Sequence, residues 1–154
     1  MSGYTPEGFN GDDKEDWATD PEAPKAQMRT REQVLGLTRS EILNLRGADL
    51  DAACALLCMD DVTWDEEDQD WMRSNGGIFR PSSSLKSAAL AYESMAKRGW
   101  NRLTVESDGV KWWAAVLDGS RHLLALSRFH KTGAEARTMA CVLAAWKDGQ
   151  DGVE

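Results

Sequence analysis

The sequence predicts an α+β fold: a three-stranded antiparallel meander over about residues 101–129, covered by amphipathic helices at about 49–59, 84–98 and 132–148. Three observations carry this. Between Asn101 and Phe129, two Asp-Gly pairs at 108–109 and 118–119 separate three short runs rich in β-branched, aromatic and aliphatic residues. Asp-Gly between such runs signals a hairpin, because a type I′ turn needs positive φ at both central residues. On either side, apolar residues recur at helical spacing behind capping residues, and these patterns close at Gly99 and Gly149.

A two-residue loop at Asp108-Gly109 pairs Glu106 with Lys111, Val105 with Trp112, Thr104 with Trp113 and Leu103 with Ala114. Leu103, Val105, Trp112, Ala114 and Val116 then share the core-facing side. The second turn, at 118–120, leaves two registers open. A two-residue loop brings Leu123 and Ala125 to the core side, and a three-residue loop brings Leu124 and Leu126. A slip of one residue exchanges the faces. Trp112 and Trp113 point to opposite faces, which predicts a sheet covered on both sides, by the 49–59 helix or by a second copy of the chain in a homodimer.

Thr30-x-x-Gln33 and Thr38-x-x-Glu41 fit capping boxes and predict short helical turns near 31–36 and 39–46. Asp49 is the expected cap of a helix over Leu50–Met59, with Leu50, Ala53, Cys54, Leu57 and Cys58 as its apolar stripe. Ser84 caps the next helix, whose stripe reads Leu85, Ala88, Ala89, Tyr92, Met95 and Ala96. Thr132-x-x-Glu135 opens the last, and Ala136, Met139, Ala140, Leu143 and Trp146 line one face up to Gly149. Residues 28–149 thus form one domain, between an acidic tail at 1–27 too poor in apolar residues to order itself and a short tail at 150–154.

Composition excludes several classes. No apolar run approaches the ~18–20 residues of a membrane span. With a polar N-terminus and three cysteines, an odd number, the expectation is a cytoplasmic protein that does not engage a membrane. Cys54 and Cys58 share a helix face, but a closed metal site needs about four ligands. His122, His130 and Cys141 show no ligand spacing, so core packing is the expected role of the thiols. No nucleophile–base signature and no phosphate or dinucleotide loop occurs, so no catalytic residue, cofactor or metal is predicted. Arg29, Arg31, Arg39 and Arg46 lie on the two short helices, yet acidic neighbours would repel phosphate, and direct nucleic-acid binding is not expected.

The formal net charge of −8 is uneven: residues 1–24 carry −6, residues 49–75 carry −8, and residues 76–133 carry +5. Seven acids fall within the eleven residues Asp60–Asp70, interleaved with Trp64 and followed by Trp71. The segment reads as an irregular loop and lacks the Asp-x-Asp-x-Asp-Gly framework of a calcium site. A solvated loop without a partner would have this composition. So would a recognition surface in which Asp60, Asp61, Asp65, Glu66, Glu67, Asp68 and Asp70 imitate phosphates and Trp64 and Trp71 serve as anchors. Such a surface fits a basic groove on a host protein complex. In an alternative reading, Lys86, Arg98, Arg102, Lys111, Arg121, Arg128 and Lys131 meet the phosphates of a nucleotide, with Trp100 or Trp113 stacking the base.

Ala48-Asp49-Leu50-Asp51-Ala52-Ala53, Trp113-Ala114-Ala115 and the run from Thr132 through Arg137-Thr138-Met139 occur in the order helix, polar loop, strand, helix. Over roughly residues 42–147 this order resembles short phage and prophage proteins of the ABA-sandwich-like families. The resemblance implies a small α/β sandwich of phage origin and supplies no catalytic residues. The acidic tail, the acidic cluster at 60–70 and the basic helix at 84–98 depart from that pattern. Together with the acidic cluster, it leads to the expectation of a non-enzymatic, anti-CRISPR-like inhibitor of a host complex.

Overall fold

A computed structural model describes residues 28–118 and 124–152. The acidic tail with Trp17, the second turn of the meander, Arg121 and His122 lie outside the described residues. The architecture is mixed α+β, with five helices and two small antiparallel sheets among the described residues. Helices α1 (Arg31–Leu35), α2 (Arg39–Leu43) and α3 (Gly47–Cys58) precede a hairpin of β1 (Val62–Asp65) and β2 (Asp70–Arg73). Helix α4 (Leu85–Lys97) follows, then β3 (Arg102–Ser107), β4 (Trp112–Leu117) and β5 (Leu124–Leu126), and finally α5 (Gly133–Gly152).

Local chemistry explains the ends of the helices. In both short helices the threonine hydroxyl and the residue at N3 cap each other: Thr38 Oγ1 accepts from Glu41 N at 3.1 Å, and Glu41 Oε1 accepts from Thr38 N at 2.8 Å. The Thr30–Gln33 pair is built in the same way. Helix α3 starts earlier than the predicted Asp49 cap. The chain enters it through Gly47 in a left-handed conformation, φ 54°, which leaves Asp49 in the first turn. Helix α4 ends in a Schellman motif, with Gly99 at φ 105° and Trp100 N donating to Met95 O at 3.1 Å.

The layering departs from helices laid side by side on a sheet. Helix α5 packs on all three strands of the meander, while α3 and α4 pack on the far side of α5. Residues Thr138 to Ala145 are therefore buried on every side, not along one stripe. Helix α3 is likewise surrounded, with its thiols Cys54 and Cys58 in the core beside Cys141 of α5. Burial pushes the Cys54 and Cys141 thiols well up, away from thiolate chemistry. In α4 the inward face is Ser87, Ala88, Ala91 and Met95, a rotation from the predicted stripe that leaves Leu85 and Ala89 outside. Helix α5 continues past Gly149 to Gly152, because a glycine there lets Leu35 of α1 approach where a Cβ would collide.

The meander has the predicted order but a different turn. Ser107 pairs with Trp112, Val105 with Ala114 and Leu103 with Val116, so the loop centres on Gly109-Val110. Asp108 Oδ1 accepts from Val110 N at 2.9 Å and Lys111 N at 2.8 Å. Of the two loop residues, Gly109 alone has positive φ, 95°, whereas a type I′ turn would need two. The shift moves partners by two positions and so preserves the faces: Leu103, Val105, Ala114 and Val116 still face the core. Trp112 shares that side at its rim, over Gly133 at the start of α5. Ala125 pairs with Val116 and is buried, whereas Leu126 is exposed. The opposite face carries Trp113, Leu117, Leu126 and Phe129, and no described element covers it.

Candidate functional site

Residues Asp60–Arg73 form an ordered hairpin, not the irregular acidic loop that composition suggested. The register aligns Val62 with Arg73, Trp64 with Trp71 and Asp65 with Asp70. The two tryptophans meet edge to face across the strands, with ring centroids 5.4 Å apart at 67°. The guanidinium of Arg29 sits 3.8 Å from the Trp64 ring centroid, so one aromatic face is already occupied by a cation. After Arg73 the chain turns at Asn75-Gly76-Gly77 and returns alongside β2, with Phe79 N donating to Trp71 O at 2.8 Å.

The structure divides the nine predicted site residues into two groups. Asp70 and Trp71 are buried and do not belong to an exposed surface. Trp71 joins the core, and the Asp70 carboxylate takes both a 3.2 Å hydrogen bond from Arg80 Nε and an ion pair from Arg80 Nη2. Asp61 is half-buried against Arg73 at 3.4 Å, and Trp64 is half-buried as described. Asp65 Oδ1 accepts from Glu67 N at 2.9 Å and Asp68 N at 3.1 Å, which closes the turn. The remaining carboxylates are free. Asp60 is 97% exposed, with Arg98 no nearer than 3.9 Å. Glu66, Glu67 and Asp68 stand at the tip with no ion-pair partner among the described residues.

Under the hairpin lies a cavity of about 340 Å³, where Trp64, Trp71, Asp70 and Arg80 meet Asp51 of α3 and Ser82. Asp51 Oδ1 accepts from Ser82 N at 2.8 Å. Burial, only partly offset by that bond, raises its carboxyl above the ordinary range. Sequence reasoning missed Asp51, Arg80 and Ser82 as supports. The one available signal was an acid next to Leu50 inside an apolar helix, since such an acid is buried only with a partner.

The arrangement is suited to recognition: a preordered strand pair presents unpaired carboxylates at its tip and keeps its base in the core. No group of histidines, cysteines and acids among the described residues could hold a metal ion. No helix among them is long and apolar enough to cross a membrane. Neither a family model, nor a curated protein, nor a solved structure matches the chain.

Proposed function

We propose that the protein is a non-enzymatic binding inhibitor whose acidic hairpin docks into a basic, nucleic-acid-binding groove of a host complex. An anti-defence role of the anti-CRISPR kind, carried by a phage, is the setting that suits it. The observation that carries this reading is the tip Glu66-Glu67-Asp68, free of internal cations and held rigid by Asp65. A charged surface ordered before binding loses little conformational freedom on docking and attracts a basic partner at long range. The reading narrows the anchors to Trp64, because Trp71 is committed to the core.

The test is capture from host lysate by the tagged protein, at about 0.1 M and about 1 M salt, where the screening length falls from about 10 Å to about 3 Å. The expected result is a nucleic-acid-binding complex, retained at low salt, lost at high salt and displaced by duplex DNA. A Glu66→Gln, Glu67→Gln, Asp68→Asn variant should lose capture while melting at an unchanged temperature, since surface substitutions of this kind shift stability by about 0.5 kcal/mol or less. Undiminished capture by that variant would sink the reading.

A further inference from the structure

At the opposite pole of the charge distribution, the meander meets the start of α5 around a cavity of about 480 Å³. Its lining brings together Arg46, Lys111 and Lys131, with His130, Glu135 and Phe129. Each is positioned by the fold. His130 is tied to β4 by a pair of backbone hydrogen bonds with Trp112, both 2.8 Å. Arg46 is turned toward this corner by donating Nη1 to Leu43 O at 2.9 Å and Leu45 O at 2.7 Å. Lys111 Nζ lies 4.9 Å from the Phe129 ring centroid.

Three cations therefore line one cavity with a single carboxylate, and that carboxylate is engaged: Glu135 Oε1 lies 3.0 Å from His130 Nδ1. Lys111 and Lys131 have no ion-pair partner among the described residues. In a chain of net charge −8, acids to neutralise them are plentiful, yet none is brought here. The His130 side chain is fully buried. Because an ionised carboxylate only accepts, Nδ1 carries the proton, and Nε2 is left as a buried lone pair with no partner. A complementary ligand thus carries negative charge for the cations and an O–H for Nε2. A carboxylate at neutral pH has only the first. A phosphate monoester, whose second pKa is about 6, has both.

We infer that this cavity binds a phosphate group, with Arg46, Lys111 and Lys131 on its oxygens and His130 Nε2 accepting from its P–OH. The positive end of α5, a helix of 20 residues, begins directly after Lys131 and adds to the field. Phe129 supplies an apolar wall for whatever the phosphate is attached to. The inference is independent of the acidic hairpin and does not require a host complex.

The test is calorimetric titration of the purified full chain with inorganic phosphate, with adenosine monophosphate and with sulfate, together with the ring resonances of His130. Sulfate matches phosphate in size and charge but has no acidic proton at neutral pH. Phosphate should bind more tightly than sulfate by about tenfold, the worth of one hydrogen bond involving a charged group. Lys111→Met and Lys131→Met, both at exposed positions, should each weaken phosphate by about tenfold without lowering the melting temperature. Binding should also move the His130 ring signals. A gain of adenosine monophosphate over phosphate would mark a free nucleotide as the source. Equal affinity would mark the phosphate group alone, whatever carries it. Equal binding of sulfate and phosphate, binding unaffected by both lysine variants, or silent His130 resonances would overturn the assignment.

Discussion

The two hairpins of this molecule solve one turn problem with different materials. Each turn opens with an aspartate whose Oδ1 accepts from the amides two and three residues ahead: Asp65 from Glu67 and Asp68, Asp108 from Val110 and Lys111. They differ in what holds the strands. In the β3–β4 hairpin, alternate residues along six-residue strands bury themselves against α5. In the acidic hairpin the strands are four residues long, and only Val62, Asp70 and Trp71 are buried. Polar ties from Arg80 to Asp70 and from Arg73 to Asp61 do the rest. A hairpin can thus carry unpaired charge at its tip when its stability resides at its base.

That contrast is most directly broken by truncating one tryptophan in each hairpin. Trp71→Ala removes a ring that is 5% exposed and should cost about 3–5 kcal/mol, read from the urea midpoint. Trp112→Ala should cost less, since its ring sits at the rim and is 36% exposed. Equal losses would mean that the acidic hairpin is not anchored chiefly through Trp71.

The same difference explains what the sequence disclosed. The meander was legible because Asp-Gly pairs and apolar alternation are local signals, and its faces survived an error in the loop because the shift was by two. The capping threonines and Ser84 were legible for the same reason. The acidic hairpin was hidden: its turn, Glu66-Glu67-Asp68-Gln69, contains no glycine, and the partner of Asp70 lies ten residues away in the chain. Layer order was hidden too. Whether α3 lies on the sheet or behind α5 depends on packing between distant segments, and α3 and α5 both bury several faces. Of the predicted site residues, the free acids at the tip were visible in composition, whereas the commitment of Asp70 and Trp71 was not. His130 was noticed only as an isolated histidine, because Arg46 lies far from it in sequence.

The next contrast concerns the residue in each turn that adopts a left-handed backbone. In the meander it is Gly109, φ 95°, and in the acidic hairpin it is Gln69, φ 54°. Gly109→Ala should lose about 1 kcal/mol, because alanine resists that conformation. Gln69→Gly should change stability in the other direction by less than that. It releases a left-handed penalty of about 1 kcal/mol but gives up the 2.7 Å bond from Gln69 Nε2 to Glu66 O. Melting curves of the two variants give both signs. A clear loss in Gln69→Gly would show that the side-chain bond, not the backbone, governs that turn.

Acidification should separate the two sheets with the smallest effect of the set. His130, bridged to Trp112 at the end of the meander, is held below its ordinary value, first by burial and then by Arg46, against the opposing pull of Glu135. Lys111 and Lys131 line the same cavity, and their charge also disfavours protonation. Its unfolded-state value is 6.5, so between that pH and the lower folded value the unfolded chain binds more protons than the native one. Stability from this group is therefore complete above 6.5 and is lost as the pH falls through the folded value. Asp108, held low chiefly by the Lys111 and Val110 amides, adds its own loss only further down, below 3.8. Hydrogen exchange between about pH 7.5 and 5, corrected for intrinsic rates, should show the Trp112 and His130 amides losing protection while the Phe79 amide beside β2 holds. His130→Gln should remove the step. Parallel loss of protection in both sheets would instead indicate a global transition, with neither hairpin titrating on its own.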